Sequence, residues 1–283
     1  KNTDLGQKRN PFKEKDSELG WIQDFLRNNV LGSDDAYQAN PKKLLLELES
    51  KCLAVFDQAP NEESRNILNA YLSWINLDMG RFKISYDYAI KGVSCSEVFF
   101  RNQSFDSIFG SVRELNLNDD YKMWLERAKE QNYPDLGYHE MQYYINTGEV
   151  EKALEKCDEH FVGNLDWGLY NRAGILKEFG RDDEAEVLYR KLTSRRASDP
   201  SFPASANSLA FSILMPQRRF FEAEQLLVQT LCTTNMREKI NAYSNLAMVA
   251  FQMKEFDAAT RFANVGASSH ELAIASESRL TLV

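Results

Sequence analysis

One short pattern recurs along this chain and limits what it can fold into. Gly148-Glu149-Val150-Glu151-Lys152-Ala153-Leu154 is echoed by Gly180-Arg181-Asp182-Asp183-Glu184-Ala185-Glu186. Gly suits the left-handed residue that ends a helix, and an Ala five residues on lets two helices approach closely. Phe220-Phe221-Glu222-Ala223 and Phe256-Asp257-Ala258-Ala259 repeat the second half less perfectly. The small residues Ala153, Ala185, Ala223 and Ala259 are separated by 32, 38 and 36 positions. Upstream, Gly80-Arg81-Phe82 has the same turn, with Ser85 in the small position; Gly80 precedes Gly148 by 68 residues, two periods of 34. The repeat between them falls on the hairpin around Asn118 to Ala128. A period of this length, written in helix signals, specifies a series of two-helix units.

The apolar spacing agrees. Leu45, Leu48, Cys52, Val55 and Phe56 follow steps of three and four, as do Ile67, Leu68, Tyr71, Leu72 and Ile75. Phe105, Ile108, Phe109, Val112 and Leu115 form a further stripe, and Tyr121, Trp124, Leu125 and Ala128 another. Asp16 and Ser17 can cap a first helix bearing Trp21, Ile22, Phe25 and Leu26. A polar loop follows at 32–35, Asn40-Pro41 marks a helix start, and Pro60-Asn61 marks a break. Only Val93 to Phe100 suits either a short strand or a loop. About fourteen helices are expected. The 13 Gly and 7 Pro among 283 residues fit long helices joined by short turns. Residues 1–15 read as a flexible polar lead-in.

On these residues the chain resembles the tetratricopeptide repeat family. Ala173, Gly180, Ala185 and Tyr189 match the pattern of one repeat, and Leu246-Ala247, Phe256 and Ala259 match another. The match is best over 134–268 and degenerate over 16–133. Arg218 and Lys254 stand where Gly is usual, and Arg172 where Leu is expected. Pro216 interrupts a hairpin that carries about one extra residue. The resemblance implies an all-α fold: a right-handed α–α superhelix of six or seven helical hairpins. It also implies a groove, lined by the first helix of each pair, that holds a peptide or protein partner.

Asn171, Asn207 and Asn245 fall near one place in three successive first helices. Asn is a poor helix former, and its amide both donates to and accepts from a peptide backbone. Solvation, or a bond within the helix, is the competing reading. Tyr138, Gln142 and Tyr170 join the same expected surface, although Tyr170 also suits packing between hairpins. Some proteins of the family grip a terminal carboxylate with a lysine–asparagine clamp; the lysines for it are not found on these first helices.

Other chemistry has weak support. His139-Glu140 opens like a zinc-protease motif, but Tyr143 stands where the second His belongs. Cys157 and His160 share a helical face without an evident oxyanion donor. Cys52, Cys95, Cys157 and Cys232 form no CxxC pair, and three of them sit among apolar residues, which favours a reducing, cytoplasmic setting. No cofactor or metal is expected. The net charge of −8 disfavours direct nucleic-acid binding, and the basic pairs Lys42-Lys43, Arg195-Arg196 and Arg218-Arg219 read as solvated surface. No apolar run reaches the roughly 18 residues a bilayer span requires.

The expected function is that of a scaffold, adaptor or regulatory subunit without catalysis. Two alternatives stay open. One is the ligand-sensing part of a regulator whose DNA-binding or effector domain lies outside this chain, which begins at Lys1 rather than Met. The other is a sugar-active toroid using two carboxylates across an aromatic-lined cleft, with Trp21, Trp74, Trp124 and Trp167 as stacking surfaces; the acidic pairs Asp119-Asp120 and Asp182-Asp183 read instead as helix starts.

Overall fold

A computed structural model describes residues 41–57, 59, 61–195 and 199–267. The lead-in, the first expected helix with Trp21, Asn40, Pro60, Arg196 and His270 lie outside these residues. Thirteen α-helices and no strand occur among the described residues. In chain order they are α1 (Pro41–Phe56), α2 (Glu62–Asp78), α3 (Phe82–Gly92), α4 (Val98–Glu114), α5 (Asn118–Glu130), α6 (Leu136–Asn146) and α7 (Val150–His160). There follow α8 (Leu165–Glu178), α9 (Asp182–Thr193), α10 (Phe202–Leu209), α11 (Phe220–Thr230), α12 (Met236–Gln252) and α13 (Phe256–Ala267). The stretch from Val93 to Phe100 forms no strand: a turn and loop lead straight into α4.

The turns explain why the helices pair. Gly80, Gly148 and Gly180 adopt φ of 70°, 79° and 72°, and Arg218 and Lys254 adopt 60° and 65° in the equivalent places. The next residue's N–H then donates back across the helix end: Arg81 to Asn76 O, Glu149 to Tyr144 O, Arg181 to Leu176 O, Arg219 to Leu214 O and Glu255 to Ala250 O, each at 2.8 Å. This is the Schellman arrangement, which satisfies carbonyls that the ending helix leaves open. The same five residues start the second helix, since their carbonyls accept from Ser85, Ala153, Ala185, Ala223 and Ala259 at 2.9–3.1 Å. Those small residues are buried, so α3, α7, α9, α11 and α13 lie close against their partners. The non-glycine turns thus keep the glycine geometry.

The helices divide into two compact units, Lys1–Leu115 and Asn116–Val283. In the first, α2 packs on α1, α3 and α4. Leu48, Cys52, Leu68, Leu72 and Ile75 form its core and are buried. Burying a Leu or Ile side chain stabilises a fold by about 1.5–3 kcal/mol, so the stripes read from sequence account for the packing. Glu63, in the first turn of α2, ties down the start of α4. Its carboxylate accepts from Ser96 N (2.9 Å), Ser96 Oγ (2.6 Å), Cys95 Sγ (3.1 Å) and Glu97 N (3.3 Å). Partial burial pushes the Glu63 carboxyl up, but these hydrogen bonds outweigh it and hold the acid below its ordinary range.

In the second unit, α6–α7, α8–α9, α10–α11 and α12–α13 are hairpins stacked in series. Each second helix also packs on the first helix of the following pair. Their shared core includes Leu154, Ala173, Leu176, Leu209, Ile213, Leu227, Leu246 and Val249. An ion-pair ladder links the second helices: Arg181 reaches Glu151 at 2.7 Å, Arg219 reaches Glu186 at 2.8 Å, and Arg190 reaches Glu222 at 2.5 Å. Arg219 is therefore committed to the fold rather than to solvent. Arg172 is likewise used: it pairs with Asp158 at 2.7 Å, bridging α7 and α8.

The extra residue of the third hairpin resolves into a specific element. In the other hairpins the small or central residue of the first helix lies seven places before the turn, as Ser73, Met141, Ala173 and Ala247 do. Ala210 lies eight places before Arg218. Residues Ala210–Leu214 form a π turn, with Met215 N donating to Ala210 O at 2.9 Å, which absorbs the added residue while Ile213 and Leu214 stay buried.

Candidate functional site

The second unit contains an open cleft of about 630 Å³ on its first helices. Lys177 and Glu178 from the end of α8 form one side. The π turn and the loop after it supply Phe211, Ser212, Met215, Pro216 and Arg218. Phe220, together with Met248 and Gln252 of α12, completes the lining. The volume falls within the range of cavities that hold small ligands or peptide side chains. Phe211 is 49% exposed, although it follows the fully buried Ala210. The π turn makes that possible: an added residue rotates the helix so that Phe211 projects while Ile213 and Leu214 keep their core places. The rim is polar. Lys177 pairs with Asp182 at 3.4 Å, and Arg218 is exposed on the turn.

The six residues expected to bind a partner stand elsewhere on these helices. Asn171 donates to Trp167 O at 2.8 Å, a bond within α8. Asn207 is not solvent-facing, which corrects the sequence expectation. It is buried, and its Nδ2 donates to Glu238 O at 2.9 Å and Glu238 Oε2 at 2.8 Å. Its Oδ1 accepts from Asn245 Nδ2 at 3.3 Å. The π turn explains the error. Asn171 and Asn245 each lie two residues before the small residue of their helix, whereas Asn207 lies three before Ala210 and so turns inward. Tyr170 takes the packing alternative: its hydroxyl is 3.1 Å from Ser208 Oγ, and its ring meets Tyr189 edge-on at 6.0 Å. Tyr138 lies 5.3 Å from the His139 ring and 6.2 Å from His160, and Gln142 is half-buried on α6. None of the six lines the cleft.

Asn245, Met248 and Gln252 nonetheless follow helical spacing along one stripe of α12, as Asn171, Gly174 and Glu178 do along α8. The cleft thus occupies the later turns of the face on which the asparagines were sought. A signal for it exists in the sequence. Phe211 is a large apolar residue placed directly after the core Ala210 and directly before the polar Ser212, ahead of Pro216.

The candidates for chemistry take structural places. Cys157 is buried and donates to Gly168 O at 3.6 Å; burial pushes its thiol up to about 11, the wrong direction for a nucleophile. His160 stacks edge-on against Phe161 at 4.7 Å, and His139 lies 3.3 Å from the Tyr133 hydroxyl. Burial likewise pushes Cys52 and Cys95 up to about 12, and Cys232 is exposed. Asp119, Asp120, Asp182 and Asp183 occupy first helical turns, where they complement the helix dipole. Among the described residues Trp74 and Trp124 pack into their units, while Trp167 is 43% exposed. No described helix is long and apolar enough to cross a membrane.

No family model and no curated protein matches the chain. Among solved structures it is similar to the apo form of the quorum sensor NprR from B. thuringiensis, with a TM-score of 0.48 and 16% identity, covering 93% of this chain and 79% of that one. The all-α hairpin fold stands on the helices and turns described above.

Proposed function

We propose that this chain is a peptide- or protein-binding helical repeat, acting as a scaffold, adaptor or regulatory subunit with no reaction of its own, and that its ligand seats in the cleft beside the π turn. The observation that carries this reading is Phe211, held half-exposed next to Met215, Pro216 and Met248. Leaving an aromatic ring in water forgoes burial free energy, and a concave site with aromatic and Met side chains suits an incoming apolar anchor. The polar rim of Lys177, Glu178, Arg218 and Gln252 supplies the few directional contacts that orient such an anchor.

Phage-displayed peptides selected on the purified protein provide the test, with affinities then read by fluorescence anisotropy. Phe211→Ala and Met248→Ala are each expected to weaken a selected peptide by about tenfold or more, the loss of a central anchor. Far-ultraviolet circular dichroism should be unchanged, since neither side chain is fully buried. Undiminished affinity in both variants would place the binding surface outside the cleft.

A further inference from the structure

Two backbone irregularities converge on the cleft. One is the π turn. The other is Arg218, which holds φ of 60° at a turn where Gly80, Gly148 and Gly180 stand in other hairpins. A residue with a Cβ is strained in that region, as Lys254 is at φ of 65° in the following hairpin, and what distinguishes Arg218 is that its side chain lines the cleft. Its neighbour Arg219 shows what a structural arginine does here, pairing with Glu186 and Glu222. Arg218 forms no ion pair among the described residues. The second cation of the cleft, Lys177, already has Asp182, and Glu178 lies beyond ion-pair distance of Arg218. A guanidinium that makes no ion pair among the described residues therefore lines the cleft with Phe211, Met215, Met248 and Glu178.

From this we infer that the cleft selects peptides in which a large apolar side chain is followed closely by an Asp or Glu. The apolar group packs on Phe211 and Met248, and Arg218 receives the carboxylate through charge-assisted hydrogen bonds. Arg218 is exposed at the rim, so a chain can continue on both sides of the contact; the carboxylate is that of a side chain rather than a terminus. The inference rests on the peptide-binding reading above and adds the chemistry of the ligand.

Three short fluorescein-labelled peptides with a Leu-Phe anchor test it at low salt. The first carries Glu after the anchor and an amidated end, the second Gln with the same end, and the third Gln with a free terminal carboxylate. The Glu peptide should bind about tenfold tighter than the Gln peptide, the scale of one charge-assisted contact. Arg218→Gly should abolish that preference and at the same time raise Tm, because it relieves the turn; Arg218→Lys should keep most of the preference. A merely structural Arg218 cannot combine higher stability with lost discrimination. Equal binding of Glu and Gln peptides, a preference that survives Arg218→Gly, or strongest binding of the free-terminus peptide would each overturn the inference while leaving peptide binding intact. If no peptide binds the wild type, both this inference and the proposed function fail.

Discussion

Single residues in the turns set local costs that can be measured separately. Gly180 holds φ of 72°, and a Cβ added there would meet nothing within 4 Å. Any penalty for Gly180→Ala is therefore conformational rather than steric, and about 1 kcal/mol of destabilisation is expected. Lys254 makes the reverse case. It holds φ of 65° with a Cβ, lies outside the lining of the cleft beside the π turn and forms no ion pair among the described residues. Lys254→Gly should stabilise the protein by about 1 kcal/mol. Both effects are read as opposite shifts of the urea midpoint at constant m-value. A Lys254→Gly variant that unfolds earlier than wild type would contradict the equivalence of these turns.

At the level of elements, the third hairpin tests whether one added residue creates the cleft. The spacing from Ala210 to Arg218 is one longer than in the neighbouring hairpins, and the π turn takes up the difference. Deleting Ser212, a cleft residue outside the buried set, restores the common spacing. Ile213 and Leu214 can then keep their core places in regular α-helix. The expected outcome is full helicity and cooperative unfolding with Tm within about 3 °C, the equivalent of roughly 1 kcal/mol for a chain of this size. Selected peptides should no longer bind, because Phe211 is rotated. Peptide affinity retained by the deletion variant would separate binding from the π turn.

For the molecule as a whole, the division at Leu115 and Asn116 places every cleft residue in the second unit. That unit has its own core, and its hairpins bury each other's faces in series, which is how repeat arrays gain stability. A fragment of residues 116–283 is expected to unfold cooperatively and to bind a selected peptide as tightly as the full chain, as calorimetry can establish. A folded fragment that does not bind would mean that the site requires the first unit.

Hairpin architecture was legible in the sequence because its causes are local. The glycine turns, the small residue five places on and the apolar steps of three and four each act within one or two helical turns, so spacing alone identifies them. Even the degenerate positions followed, since Arg218 and Lys254 adopt the glycine backbone. The face that carries the cleft was only half legible. Asn171 and Asn245 lie on the stripes that lead to it, but Asn207 is buried against Glu238, and Tyr170 packs on its neighbours. One residue inserted between Ala210 and Arg218 rotates everything before it relative to the turn by about 100°, as 3.6 residues per turn require. Where that rotation is absorbed depends on how Ile213 and Leu214 fit the core formed by other hairpins. Periodicity therefore determined which segments pair, whereas the packing of separate hairpins decided which side chains are buried and which line the cleft.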